Sequence, residues 1–180
     1  MPLKDLIVGS HIWFAREGST VDSTAVVSTA LPVFATTKAD WLQLGCVEQF
    51  EPNVSRNSVK RRCPQADGGK YGVRKEIVIS SDLTLNFGLQ EMEELNLELL
   101  FNSNTPDPGD GSFVPNAQGS LIEGWLHLDS YDQDNVKIVD LDAWVSLKQD
   151  SYQFGENLNP HTLIAEVLNN SLNNGNFTNI

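Results

Sequence analysis

The sequence predicts a mainly β protein, an antiparallel β-sandwich or barrel with one α-helix flanking it at about residues 90–101. Three observations predict it. Apolar residues recur at period two in several segments. Clusters of Gly, Pro, Asn and Asp separate those segments. A single segment breaks the pattern with helical spacing.

Leu6, Val8, Ile12 and Phe14 share one parity and open the chain with a strand. Residues 15–40, rich in Ser, Thr, Ala and Val, read as an extended arm or loosely paired strands. After Trp41, a short face of Leu42, Leu44 and Cys46 begins the next strand. Strands at 54–62 and 71–79 flank CPQADGGK, a hairpin turn at 63–70. Leu83, Leu85, Phe87 and Leu89 then alternate with Thr84, Asn86 and Gly88. In 90–101, Met92, Leu95 and Leu99 fall on one helical face, and Glu91, Glu93 and Glu94 crowd the first turn, where the helix dipole favours anions. Leu95, Leu97 and Leu99 would also suit a strand. Residues 102–119 are a long loop rich in Pro, Gly and Asp. Ile122, Leu126 and Leu128 alternate with Glu123, Trp125, His127 and Asp129; Val139 to Leu147 alternate with Asp140, Asp142, Trp144 and Ser146. SYDQDN, 130–135, joins these two strands. Residues 161–168 read as a short helix or a strand, and 157–180 hold eight Asn and no Lys or Arg.

A chain of 180 residues suits one domain with a real core. Its parts are an N-terminal strand and arm (1–40), a charged hairpin (54–79), the long loop (102–119) and an Asn-rich C-terminal segment (151–180). With 40% hydrophobic and 20% charged residues, the composition is that of a folded domain. No run approaches the roughly 18 apolar residues of a spanning helix. MPLKDLIVGSHIWF lacks the apolar core and cleavage site of a signal peptide, so cytoplasmic synthesis is expected. The two cysteines, Cys46 and Cys63, are too few for a disulfide framework.

The formal charge is −12, and it is not evenly spread. Residues 82–150 hold 14 acids and two bases, so they alone account for it. Residues 56–75 hold seven bases (Arg56, Lys60, Arg61, Arg62, Lys70, Arg74, Lys75) and one acid, Asp67, for +6. A net acidic surface argues against gripping nucleic acid. The basic hairpin is either a solvated surface or an arm that meets an acidic neighbour across a subunit contact.

No catalytic constellation appears. His11, His127 and His161 stand in no metal spacing, and no nucleophile elbow or phosphate loop is present. Asp129, Asp132 and Asp134 lack the Gly and distal Glu of a calcium loop, so a hydrated turn is the better reading; Asp107 and Asp110 are judged alike. No cofactor, metal or enzymatic activity is expected. Trp125 and Trp144 leave open a glycan-binding module, against the commoner core or interface roles.

One layout stands out. Asp40-Trp41-Leu42-Gln43-Leu44-Gly45-Cys46-Val47 opens a strand after the arm, and a charged hairpin follows. Leu83-Thr84-Leu85-Asn86-Phe87 then runs through Gln90-Glu91 into a Glu/Leu helix ending in Leu100-Phe101, before a long loop and two long strands. Over about residues 6–150 this resembles the major tail tube proteins of long-tailed bacteriophages. The resemblance implies a virion structural protein, made in the host bacterial cytoplasm, that assembles with itself as hexameric rings stacked into a tube. Its implied partners are the tape measure, tail tip and terminator proteins, with DNA as unbound cargo and no membrane contact. A carboxylate-lined bore repels phosphate and lets DNA slide. Glu123, Asp129, Asp140 and Asp142 are the candidates for that lining. The seven bases of 56–75, with Asp107 and Asp110 of the long loop, are the candidates for inter-subunit contacts. Another ring-forming tail, connector or injection-tube protein is the alternative within the same class.

Overall fold

Six strands close on one another in the computed structural model, which describes residues 9–64, 71–89, 94–101, 115, 121–149 and 161–177. The strands are β1 (Gly9–Arg16), β2 (Thr20–Val21), β3 (Thr24–Ala25), β4 (Leu42–Pro64), β5 (Tyr71–Leu89), β6 (Ile122–Tyr131), β7 (Lys137–Gln149), β8 (His161–Val167) and β9 (Asn174–Phe177). All pairings are antiparallel, in the order β6-β1-β4-β5-β8-β7, and β7 pairs back to β6. The sheet is therefore a closed barrel, with β9 added along β7.

Alternation decides the interior. Ile12, Phe14, Leu85, Phe87, Leu89, Leu126, Leu128, Val145, Leu147 and Leu163 point inward and are buried. A barrel of this size is filled by such side chains and holds no channel of its own. At Gly124 the interior narrows: a Cβ there would lie 2.7 Å from Phe14 Cζ and inside contact of the Ala15 carbonyl.

In β4 the alternation fails. Leu42 and Leu44 were expected to share their face with Cys46, but the β1 register slips between Gln43 and Cys46, with Gly45 at φ +94°. A second irregularity lies between Val47 and Gln49. Each extra residue shifts the inward face by one, so it runs Leu44, Val47, Phe50. The strands predicted at 54–62 and 71–79 are continuous with their neighbours, giving two long strands joined as one hairpin.

Helix α1 (Phe34–Thr37) is one turn, followed by a 3-10 turn at Lys38–Asp40. Helix α2 spans Glu94–Leu100, inside the predicted 90–101, and residues 90–93 lie outside the described ones. Leu95 and Leu99, one turn apart, add to the barrel core, as the helical spacing requires. Arg16 pairs with the buried Glu98 at 3.1 Å and fastens α2 to the end of β1.

Residues 17–41 form a strap over the outer face of β1, β6 and β7. Its small hairpin, β2–β3, turns at Asp22 and Ser23, both at positive φ. Beneath it Trp13, Trp41, Trp125 and Trp144, every tryptophan of the chain, cluster with Val21 and Val26. The indole N–H of Trp125 donates to the Val27 carbonyl at 3.0 Å.

The region left open as helix or strand is β8. The Asn-rich segment after it is used structurally: Asn173 accepts from the Trp144 N–H at 2.8 Å and donates to the Leu168 carbonyl at 3.0 Å. These side chains replace ladder partners where the chain passes from β8 to β9. Gly124→Ala should destabilise the protein by about 3 kcal/mol through overpacking. Urea unfolding should show a lower midpoint at unchanged slope.

Candidate functional site

Two features outside the core carry chemistry. The first is the β4–β5 hairpin. Beyond Val54 and Leu83 neither strand has a further strand partner among the described residues, and the pairing continues to Pro64↔Tyr71. At roughly 3.3 Å per residue this two-stranded ribbon reaches about 35 Å from the barrel. Its apolar residues are open to solvent: Val59 is 54% exposed, its cross-strand partner Ile77 50%, and Ile79 64%. A lone two-stranded ribbon is marginal in water, and its bare edges invite pairing.

The ribbon is also basic. Arg56 and Lys60 are exposed on it, and Lys60 lies 3.8 Å from Glu76. The register sets Arg61 directly opposite Lys75. Like charges in that position destabilise the pair unless an acidic group lies near. Arg62 and Arg74 are also ribbon positions. Lys70, Asp107 and Asp110, with most of the 102–119 loop, lie outside the described residues.

The second feature is a buried ion cluster on the outer face of β6 and β7. Register pairs His127 with Asp142 and Asp129 with Asp140. The imidazole Nδ1 meets Asp142 Oδ1 at 2.7 Å, and Nε2 meets Asp129 Oδ1 at 3.1 Å. Lys137 Nζ bonds Asp129 at 2.8 Å and Asp140 at 2.9 Å. Burial opposes a charged imidazole, but the hydrogen bonds to Asp129 and then Asp142 outweigh it, and the pKa of His127 is pushed up from 6.5 to about 9. Burial likewise opposes ionised Asp129, and His127 and Lys137 overcome it and lower its pKa. Three carboxylates thus face two cations, leaving −1 rather than −3.

His127, Asp129 and Asp140 converge closely enough to suggest a metal. An imidazolium with both nitrogens donating has no lone pair to offer, however, and the Lys137 ammonium already occupies the carboxylates. The nearby Asp132 serves the turn: its Oδ1 accepts from the N–H of Asp134 at 2.9 Å and of Val136 at 2.8 Å.

All four candidate lining residues lie on the outer face. Asp129 is 4% exposed and fully engaged, while Glu123, Asp140 and Asp142 are partly exposed. The sequence reading took His127 for a surface or interface residue; it is 3% exposed. The hairpin register around 132–135 already implied its meeting with Asp142. Trp125 and Trp144, at 0% and 3% exposed, have no face to offer a sugar, which removes the glycan platform. Among the described residues no helix is long and apolar enough to cross a membrane.

Asp129→Ala should cost about 3 kcal/mol, because it strands two buried or half-buried cations. Asp132→Ala, which loses only turn hydrogen bonds, should cost about 1 kcal/mol. Chemical unfolding at neutral pH measures both.

No protein-family model matches the chain, and no curated protein matches it. Among solved structures it is similar to a chain in the cryo-EM structure of the anti-feeding prophage (AFP) baseplate, 6-fold symmetrised, with 8% identity, a TM-score of 0.38 and 97% of each chain covered.

Proposed function

We propose that this chain is a structural, non-catalytic subunit of a phage-type tail, and that copies of it stack as hexameric rings into a tube that conducts DNA without binding it. The observation that carries the reading is the ribbon. It is a long, basic, partly apolar element with both edges open, and it has no function inside its own barrel. A second copy supplies what it lacks, because residues 82–150 of every chain are strongly acidic. The order of the Trp41 strand, the charged hairpin, the Leu83–Phe87 strand and the acidic helix supports the same family reading.

A conduit for DNA should present no unpaired cation to phosphate. On β6 and β7 the described cations are engaged: His127 and Lys137 by the carboxylates around them, and Lys148 by Glu166. Glu123, Asp140 and Asp142 are the residues of this face that reach solvent and would meet the bore. In this reading the subunit is made in the host cytoplasm and ends in the virion tail, beside tape measure, tail tip and terminator proteins.

The register pair Arg56↔Ser81 allows a clean test. Replacing residues 57–80 by Asn-Gly, which favours a tight hairpin turn, removes the ribbon and spares the barrel. The truncated chain should keep its β circular dichroism and stay monomeric, while the full chain forms stacked rings with an open bore in negative stain. Normal tubes from the truncated chain, or no rings from the full chain, would reject the reading.

A further inference from the structure

The strap over β1, β6 and β7 is tethered at both ends, leaving β1 at Gly18 (φ +77°) and entering β4 after Trp41. Along its first part the contacts do not titrate. Val21, Val26 and Leu31 pack on the tryptophans, Trp125 Nε1 donates to the Val27 carbonyl, and the Asn170 amide donates to the Ser28 carbonyl.

Its α1 end is held differently. The Phe34 ring lies flat on the His127 imidazole, with centroids 3.7 Å apart and planes 20° apart. The rings of Trp13 and Trp41 stand at 5.7 Å and 6.2 Å. At the imidazole edges sit Asp129 and Asp142. A charged imidazolium satisfies this whole setting: it donates to both carboxylates and offers a cation to aromatic faces. A neutral ring turns a lone pair on one carboxylate and loses the attraction to Phe34. We infer that His127 is the clasp of the strap: its charge fastens the α1 end of residues 19–40 to the barrel, and loss of that charge frees this end while the barrel stays closed.

Other charged groups face the clasp from each packed element. From β7 come Asp140, 4.0 Å from Nδ1, and Lys137, bound to Asp129 and Asp140. From β6, the Tyr131 hydroxyl reaches Asp129 at 3.4 Å. From β1, His11 stacks on Trp13, and from the strap Lys38 Nζ sits 4.5 Å over the same indole. His127 is raised from 6.5 to about 9, so its contribution is complete below its ordinary value and is lost as pH rises through about 9.

Hydrogen–deuterium exchange of the full chain, expressed as protection factors between about pH 6 and about pH 10.5, tests the clasp. Protection over 19–40 should fall about tenfold or more with a midpoint near 9, while β1 and β6 amides keep theirs. His127→Gln should show the low strap protection at every pH, with a flat profile. Phe34→Leu should loosen the strap at neutral pH over an intact barrel, and decides the matter if His127→Gln does not fold. A pH-independent strap in the wild-type chain, a wild-type profile in His127→Gln, or joint loss of strap and barrel protection would overturn the inference.

Discussion

Both edges of β7 are occupied, and the rest of the structure follows from that. One edge pairs with β6 along nearly its whole length, and the other is shared between β8 at residues 145–149 and β9 at residues 139–142. The β6 contact closes the barrel, which removes sheet edges and seals the apolar interior. The same contact brings His127 opposite Asp142 and Trp125 opposite Trp144 on the outside. The interior core and the outer ion cluster are therefore two faces of one strand pairing. Where β8 gives way to β9, the Trp144 N–H is supplied by Asn173.

Much of this was legible because period two is a direct record of a strand with one dry face. β6 and β7 follow it residue by residue, and Leu95 and Leu99 mark α2 by the same logic at helical spacing. The face of β4 was not legible. Two bulges turn an inward period of two into three, and only Gly45 hints at one of them in the sequence. The strap was unreadable for another reason: its apolar residues are sparse, and the tryptophans that receive it are spread over β1, β6, β7 and the start of β4. Only the closed barrel assembles them. The Asn-rich segment gave no pattern because its side chains serve as single hydrogen-bond partners rather than as a face.

The charge reading was sharpened most. Counting carboxylates made 120–148 a strongly acidic surface, but pairing converts part of that count into internal structure. Asp129 is buried with Lys137 and His127, and Asp142 holds the imidazole from the other side. A carboxylate engaged in this way orders the protein and contributes little field outside it. The acidity left for a partner or a bore belongs to the residues that still reach solvent.

The ribbon's charge has a consequence for the geometry of association. Two ribbons repel each other, since each carries the opposed Arg61 and Lys75 and their basic neighbours. A self-matched contact, ribbon on ribbon, is thereby disfavoured, and the bare edges are kept from zipping two molecules into a closed pair. A ribbon that settles on the acidic body of another copy leaves that copy's own ribbon unspent. Each addition thus recreates the end it consumed, and a chain of subunits lengthens by a repeated, directional step.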